Sequence, residues 1–320
     1  MPRPETNDRR KWITCLCLFP LVVALHVQAA ISYPGDLLNL MNWKLQLPIG
    51  QQGSVTEVSL PALNTFADDC FHLNAAQNGV VFKANCGGVT TSGSSYPRSE
   101  LREMTGNGLS QAAWSTDTGI HSMYIKEAIM HLPDVKPQVV AGQIHKIVSD
   151  LIEVRLEGTK LFLEYDTGAT VHGAILASNY KLGTVFTLRI VASAGHIKTY
   201  YNDSIAPAQD FPANYSGCYF KAGCYTQSNT TKGDSAGAYG EVCVYELVVT
   251  HGAETHVASA NGSRTSVPPA TIPKAGRSAV FSLNGRVTSH IARGGAQRGV
   301  QDVRLEEKPG IFRVSDINRE

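Results

Sequence analysis

Between residues 42 and 251, hydrophobic and polar side chains alternate with a period of two, in runs of six to eleven residues. That period is the signature of β-strands with one face buried, because successive side chains leave a strand on opposite sides. Strands are predicted over 123–130, 139–149, 151–156, 160–165, 186–192, 197–202 and 240–250, with an opening strand at Trp43-Lys44-Leu45-Gln46-Leu47-Pro48. Glu157-Gly158-Thr159-Lys160 and Ser193-Ala194-Gly195-His196 read as hairpin turns. Only 34–41 reads as helical, and it is brief. Many strands at short spacing, punctuated by turns, predict an all-β protein built as a sandwich.

Three of these stretches carry chemistry on their polar face. In Tyr219-Phe220-Lys221-Ala222-Gly223-Cys224-Tyr225-Thr226-Gln227, one face holds Tyr219, Lys221, Tyr225 and Gln227, with a gap at Gly223. The other face holds Cys218, Phe220, Ala222 and Cys224, which suits a core. In Arg98-Ser99-Glu100-Leu101-Arg102, one face holds Arg98, Glu100 and Arg102, the other Ser99, Leu101 and Glu103. In Gln143-Ile144-His145, the amide and the imidazole share a face and Ile144 points inward. Each alone is commonplace: an Arg-Glu-Arg face is usually a solvated ladder of ion pairs. Together they offer cations, amides, an imidazole and two phenols to one groove, which suits an anionic polymer.

Composition bounds the rest. The chain has 320 residues, 43% of them hydrophobic, and a formal net charge of +1. Residues 31–251 hold 14 Lys/Arg against 19 Asp/Glu, so attraction of a polyanion falls to a local basic groove rather than to the whole field. Nothing in this balance marks a nucleic-acid binder. At the N-terminus, Arg9, Arg10 and Lys11 precede an apolar run from Trp12 to Val27, then Val27-Gln28-Ala29. This reads as a secretory signal over residues 1–30, cleaved near Ala29 or Ala30. The run is short for a membrane span, which takes about 20 apolar residues, and the mature chain shows no other. A secreted, extracellular protein is therefore expected.

Secretion permits disulfides among Cys70, Cys86, Cys218, Cys224 and Cys243. Cys70–Cys86 is the natural local pair, and Cys243 could reach Cys224 from a neighbouring strand. Plain buried thiols are the competing reading. No Cys or His spacing suggests a metal site. Sequons stand at Asn202, Asn214, Asn229 and Asn261. Residues 252–320 change character, with Ser, Ala, Gly, Pro and Arg dominant and 10 Lys/Arg against 6 Asp/Glu. They read as a linker-like extension, disordered or holding a small attachment module, with 265–273 as linker and 278–287 and 310–314 as short strands.

The stretches RSELR at 98–102, QIH at 143–145 and YFKAGCYTQ at 219–227 resemble, in this order, the three signatures of polysaccharide lyase family 7, the alginate lyases. The resemblance covers residues 35–251, and the nine-residue stretch is its most specific part. It departs from the family at Thr226, where Asn is common, and in the long tail. The resemblance implies a jelly-roll β-sandwich with a concave sheet that binds substrate, one catalytic domain over 31–251, a monomer and no cofactor. The partner it implies is an anionic polysaccharide, alginate, cleaved by β-elimination.

That reaction removes the weakly acidic C5 proton beside the uronate carboxylate and expels the 4-oxygen. It needs charge stabilisation at the carboxylate, a base at C5 and an acid at the leaving oxygen. By resemblance, Arg98 and Gln143 hold the carboxylate, His145 is the base and Tyr225 the acid. Tyr225 does both jobs where proton and oxygen leave on the same side, as in mannuronate. Arg102, Lys221, Gln227 and Tyr219 are expected to bind sugar. Lys221, four residues from Tyr225 and so about 13 Å along a strand, is expected at a neighbouring subsite. Glu100 is expected to orient the two arginines. Ile144 inclines the reading toward guluronate or mixed blocks, and the lack of a large insertion toward endo action. The alternatives are a lyase for glucuronan or another polyuronate, a glycoside hydrolase, and a non-catalytic polysaccharide-binding module. The hydrolase needs two carboxylates flanking one bond, and Glu153-Val154-Arg155-Leu156-Glu157 lacks the central Asp of the usual run.

Overall fold

A computed structural model describes residues 31–253. The expected signal segment, and the expected linker and strands beyond residue 253, lie outside the described residues. Among the described residues sixteen strands follow in chain order. They are β1 (Trp43–Gln51), β2 (Ser54–Val58), β3 (Phe71–Leu73), β4 (Val80–Asn85), β5 (Arg98–Thr105), β6 (Ser110–Gln111), β7 (Ile120–His131) and β8 (Gln138–His145). Then come β9 (Asp150–Glu157), β10 (Lys160–Asp166), β11 (Thr170–Ala177), β12 (Phe186–Ser193), β13 (His196–Tyr201), β14 (Gln209–Pro212), β15 (Tyr219–Thr226) and β16 (Tyr239–Gly252).

They form two antiparallel sheets. One runs β11-β10-β9-β8-β15-β5-β1-β2, with β6 on β5; the other runs β14-β13-β12-β7-β16-β4-β3. This is the expected all-β sandwich. Alternation decides which side chains go between the sheets. Leu45, Leu101, Val154, Phe220, Ala222 and Cys224 come from the first sheet, and Phe82, Met123, Ile125, Ile190 and Val244 from the second. Each large apolar side chain so buried contributes about 1.5–3 kcal/mol.

The long crossovers bring the three chemical stretches together. β15 lies between β8 and β5, so the strands of the three motifs are consecutive in the sheet although far apart in sequence. Tyr219 pairs with His145, Lys221 with both Gln143 and Arg102, Gly223 with Glu100, and Tyr225 with Arg98. Between Ala222 and Tyr225 the pairing with β8 shifts by one residue, a β-bulge. Gly223 sits there at φ +131°, and a Cβ would come within 2.7 Å of both Phe82 Cδ1 and the Ser99 carbonyl. Only glycine fits that backbone.

Three expectations change. The strand predicted over 139–149 ends at His145, and Lys146 N bonds Ser149 O to turn the chain. Ile147 and Val148 look like strand but stand 75% and 86% exposed. Residues 34–41 yield only a 3-10 turn, Pro34–Asp36. The five cysteines among the described residues are free thiols. Lys83 N bonds Cys70 O, whereas Cys86 lies three residues further on, about 10 Å along a strand. Cys224 belongs to the core between the sheets, whereas Cys243 alternates with the core residues Val242 and Val244 and faces the other way. Burial pushes the thiols up, to about 11 for Cys70, Cys86 and Cys218. Among the described residues no helix is long and apolar enough to cross a membrane.

Candidate active site

The outer face of the first sheet carries a cleft of about 530 Å³. Its lining runs from Gln46 on β1 to Thr170 on β11, and includes loop residues 91–94 and 147–149. Arg98, Arg102, Gln143, His145, Tyr219, Lys221, Tyr225 and Gln227 all line it. Of the nine predicted site residues, Glu100 alone is not at the surface of the cleft: it is fully buried beneath it.

Glu100 holds the centre of the site. Its Oε2 accepts from Arg98 Nη1 at 3.0 Å and from Lys221 Nζ at 2.6 Å, and its Oε1 accepts from Gln143 Nε2. Burial alone would raise this carboxyl, but Lys221 and Arg98 outweigh burial and hold it below the usual range. Burial and Arg98 draw the Lys221 ammonium down, against the pull of Glu100. Two cations on one carboxylate leave the floor of the cleft positive. The partners of Glu100 are thus Arg98, Lys221 and Gln143, not Arg98 and Arg102 as expected. Arg102 instead lies over the Tyr219 ring, 4.1 Å from its centroid. Lys221 does not reach out to a separate subsite either. Its ammonium shares Glu100 Oε2 with Arg98, because side-chain direction, not Cα spacing, sets where the charge goes.

Arg98 stacks on Tyr225, 3.8 Å from the ring centroid. Its Nη2 donates to Ser94 Oγ at 2.9 Å, and Ser94 Oγ lies 3.1 Å from Tyr225 Oη. Arg98 Nε and Gln227 Nε2 are buried donors with no partner among the described residues. Unfilled donors in a positive cleft suit a carboxylate.

His145 stacks on Tyr219 at 5.1 Å, and its Nδ1 bonds the Lys146 carbonyl. A carbonyl only accepts, so Nδ1 carries the hydrogen and Nε2 keeps its lone pair. Burial, then the Lys221 charge, lowers the imidazole to about 4, so it is neutral near pH 7. A bound uronate would oppose that shift.

The sequence reading missed Ser94, Tyr96, Glu153, Arg155 and Glu164. Ser94 lies on a loop, where no period marks a functional side chain. Arg155 bonds Glu153, Glu157 and Glu164 at 2.8–3.1 Å. Burial and Asp150 raise Glu153 to about 7. Register puts Arg102, Lys221, Gln143, Glu153 and Glu164 in one row across the sheet, cations at one side and carboxylates at the other. Alternation in Glu153-Val154-Arg155 would have shown the shared face, but not its neighbours. Among the described residues no group of three or more His, Cys, Asp or Glu is arranged to hold a metal ion.

A sandwich with a positive cleft holding arginine, amide, imidazole and phenol defines a polysaccharide lyase of the polyuronate-cleaving class. Comparison with known proteins makes this specific. The family model described as alginate lyase matches residues 38–251, and the chain belongs to that family, polysaccharide lyase family 7. The structure resembles that of the family 7 alginate lyase AlgAT5, with 53% identity, a TM-score of 0.65, and coverage of 68% of this chain and 98% of that one. It also resembles an alginate lyase from Corynebacterium sp., with 47% identity, a TM-score of 0.65, and coverage of 69% and 98%. An alginate lyase of Klebsiella pneumoniae is 27% identical over 308 residues, 76% of this chain and 97% of that protein.

Proposed function

We propose that this alginate lyase is secreted and endo-acting, prefers guluronate or mixed blocks, and works through Tyr225 and His145. Arg98 and Gln143 bind the carboxylate beside the reacting C5 and stabilise the charge that gathers there. Tyr225 protonates the departing 4-oxygen. His145, through Nε2, takes the C5 proton in guluronate, where proton and oxygen leave on opposite faces. In mannuronate Tyr225 serves both steps. The electron pair of the C5–H bond becomes the C4–C5 double bond as the C4–O4 bond breaks. Arg102, Gln227 and Tyr219 hold the flanking sugars, Lys221 binds substrate from the floor beside Arg98, and Glu100 fixes Arg98, Lys221 and Gln143 from below. Residues 1–30 are a cleaved signal, residues 252–320 an extension apart from catalysis, and the protein works as a monomer.

The observation that carries the site assignment is the convergence of Arg98, Gln143, His145 and Tyr225 on one cleft. Endo action is supported by a cleft lined by strands from β1 to β11, which at about 4.8 Å per strand spans several sugars. Block preference rests on Ile144, and secretion on the N-terminal pattern.

The test is ultraviolet absorbance during incubation with mannuronate-rich blocks, guluronate-rich blocks and glucuronan. Absorbance rising fastest on guluronate-rich blocks, with a mixture of oligomers as early product, is the expected result. A rise on glucuronan alone would overturn alginate as the substrate, and single sugars from the outset would overturn endo action.

A further inference from the structure

Ser94 Oγ meets more polar groups than a surface hydroxyl needs. Arg98 Nη2 donates to it at 2.9 Å and Tyr96 N at 3.4 Å. Its own hydrogen has two acceptors within reach, Tyr96 O at 3.2 Å and Tyr225 Oη at 3.1 Å. The loop that carries it is tied down on several sides. Thr90 Oγ1 donates to Ser94 O at 2.9 Å, Gln52 Nε2 to Thr90 Oγ1 at 2.6 Å, and Asn229 Nδ2 to Ser95 O at 2.8 Å. Lys136 Nζ donates to Tyr96 Oη at 3.1 Å. Pinning a loop this firmly fixes the hydroxyl oxygen while leaving its hydrogen free to turn.

We infer that Ser94 is the positioning residue of Tyr225, a hydroxyl that turns with the state of the phenol; this rests on the acid role given to Tyr225 above. With the cleft empty, the phenol can donate to Ser94 in place of the long bond from Tyr96 N, and Ser94 donates to Tyr96 O. When substrate enters, the phenolic hydrogen must point at the 4-oxygen. Ser94 then turns its hydrogen from Tyr96 O to Tyr225 Oη, a rotation about Cβ–Oγ that moves no heavy atom. As the C4–O4 bond breaks, the Tyr225 proton passes to O4 and the phenol keeps the O–H electron pair. Ser94 donates to the phenolate so formed, while Arg98 lies over the ring at 3.8 Å. The Ser94 proton is never transferred. Arg98 Nη2 contributes by filling a lone pair of Ser94, which polarises the hydroxyl toward donation.

The experiment compares Ser94→Ala and Ser94→Thr with the full-length wild type, measuring kcat, KM and the pH dependence of each on mannuronate-rich and guluronate-rich blocks. Loss of one preorganised donor to a developing oxyanion predicts a kcat lower by about 10- to 100-fold for S94A, with KM little changed. On guluronate-rich blocks, where Tyr225 acts only as the acid, the alkaline limb of kcat should move to higher pH in S94A, because a donor to the phenolate has gone. S94T, which keeps the hydroxyl, should restore both. A loop that merely shapes the cleft would change KM and leave the pH limb in place, and that result overturns the inference. So does S94A at wild-type kcat, or S94T as slow as S94A. Tyr225→Phe separates the two levels: if it turns over normally, the acid role and this inference fall together. If it is inactive while S94A is normal, only the role of Ser94 falls.

Discussion

His145 keeps its lone pair on Nε2 because the Lys146 carbonyl occupies Nδ1, and burial and Lys221 hold it neutral to about pH 4. If it is the base for guluronate, kcat/KM on guluronate blocks should stay level well below about pH 6.5, the ordinary imidazole value. A limb centred at 6.5 in the free enzyme would argue against it. His145→Ala should nearly abolish cleavage of guluronate blocks, while Tyr225→Phe removes activity on every block with binding still measurable by calorimetry. A different residue sets a different pH dependence. Glu127 is fully buried, with neither carboxyl oxygen partnered among the described residues, and burial holds its pKa well above the ordinary value. The folded chain therefore keeps a proton that the unfolded chain releases. Its contribution is most favourable below the unfolded pKa and is lost as pH rises toward the folded one. Glu127→Leu should stabilise the fold by about 1–3 kcal/mol, more at pH 8 than at pH 4.5. Thermal melts across that range would show parallel curves if the idea is wrong.

Among the elements, β15 bears most directly on the site. Its unbroken register with β5 carries Lys221 to Glu100 and Tyr225 to Arg98, while the bulge at Gly223 shifts it by one residue against β8. Gly223→Ala should cost about 1–3 kcal/mol in urea unfolding and lower kcat more than KM, since the backbone that aims Tyr225 would be strained. An unaltered midpoint would show that the bulge relaxes freely. The faces of β5, β8 and β15 were legible in the sequence, because the direction of a side chain on a strand follows from parity alone. The Met123, Ile125, Glu127, Ile129 face was equally readable, although nothing local said that its glutamate has no partner. What parity cannot supply is register between distant strands. The sharing of Glu100 by Arg98 and Lys221, the row that ends in Glu153 and Glu164, and the approach of Ser94 to Tyr225 all depend on it. The end of β8 at His145 was missed for the opposite reason: Ile147 and Val148 have strand composition, yet a tertiary turn exposes them.

Across the whole molecule, the basic half of the cleft belongs to a sandwich whose residues 31–251 carry more acid than base. Attraction of a polyuronate is then a property of the cleft floor, and Glu153 and Glu164 at one side make that floor uneven. Removing residues 254–320 should leave kcat/KM on alginate within about twofold, since every group proposed to touch substrate lies in the sandwich. A truncated protein that folds but cannot cleave would tie the extension to the cleft.

The five cysteines of the described residues are free, and the sequence beyond residue 253 contains no other. Packing and polar contacts such as Thr226 Oγ1 to Ala84 O and His251 Nε2 to Glu103 Oε1, rather than disulfides, hold the two sheets together, and the melting temperature should not move when a reductant is added. The described fold therefore depends on no thiol oxidation. A bacterial cytoplasm can assemble it without an oxidase or isomerase, and a process stream rich in thiols or sulfite will not unpick it. An engineer may also introduce one surface cysteine as a tether without scrambling a native crosslink.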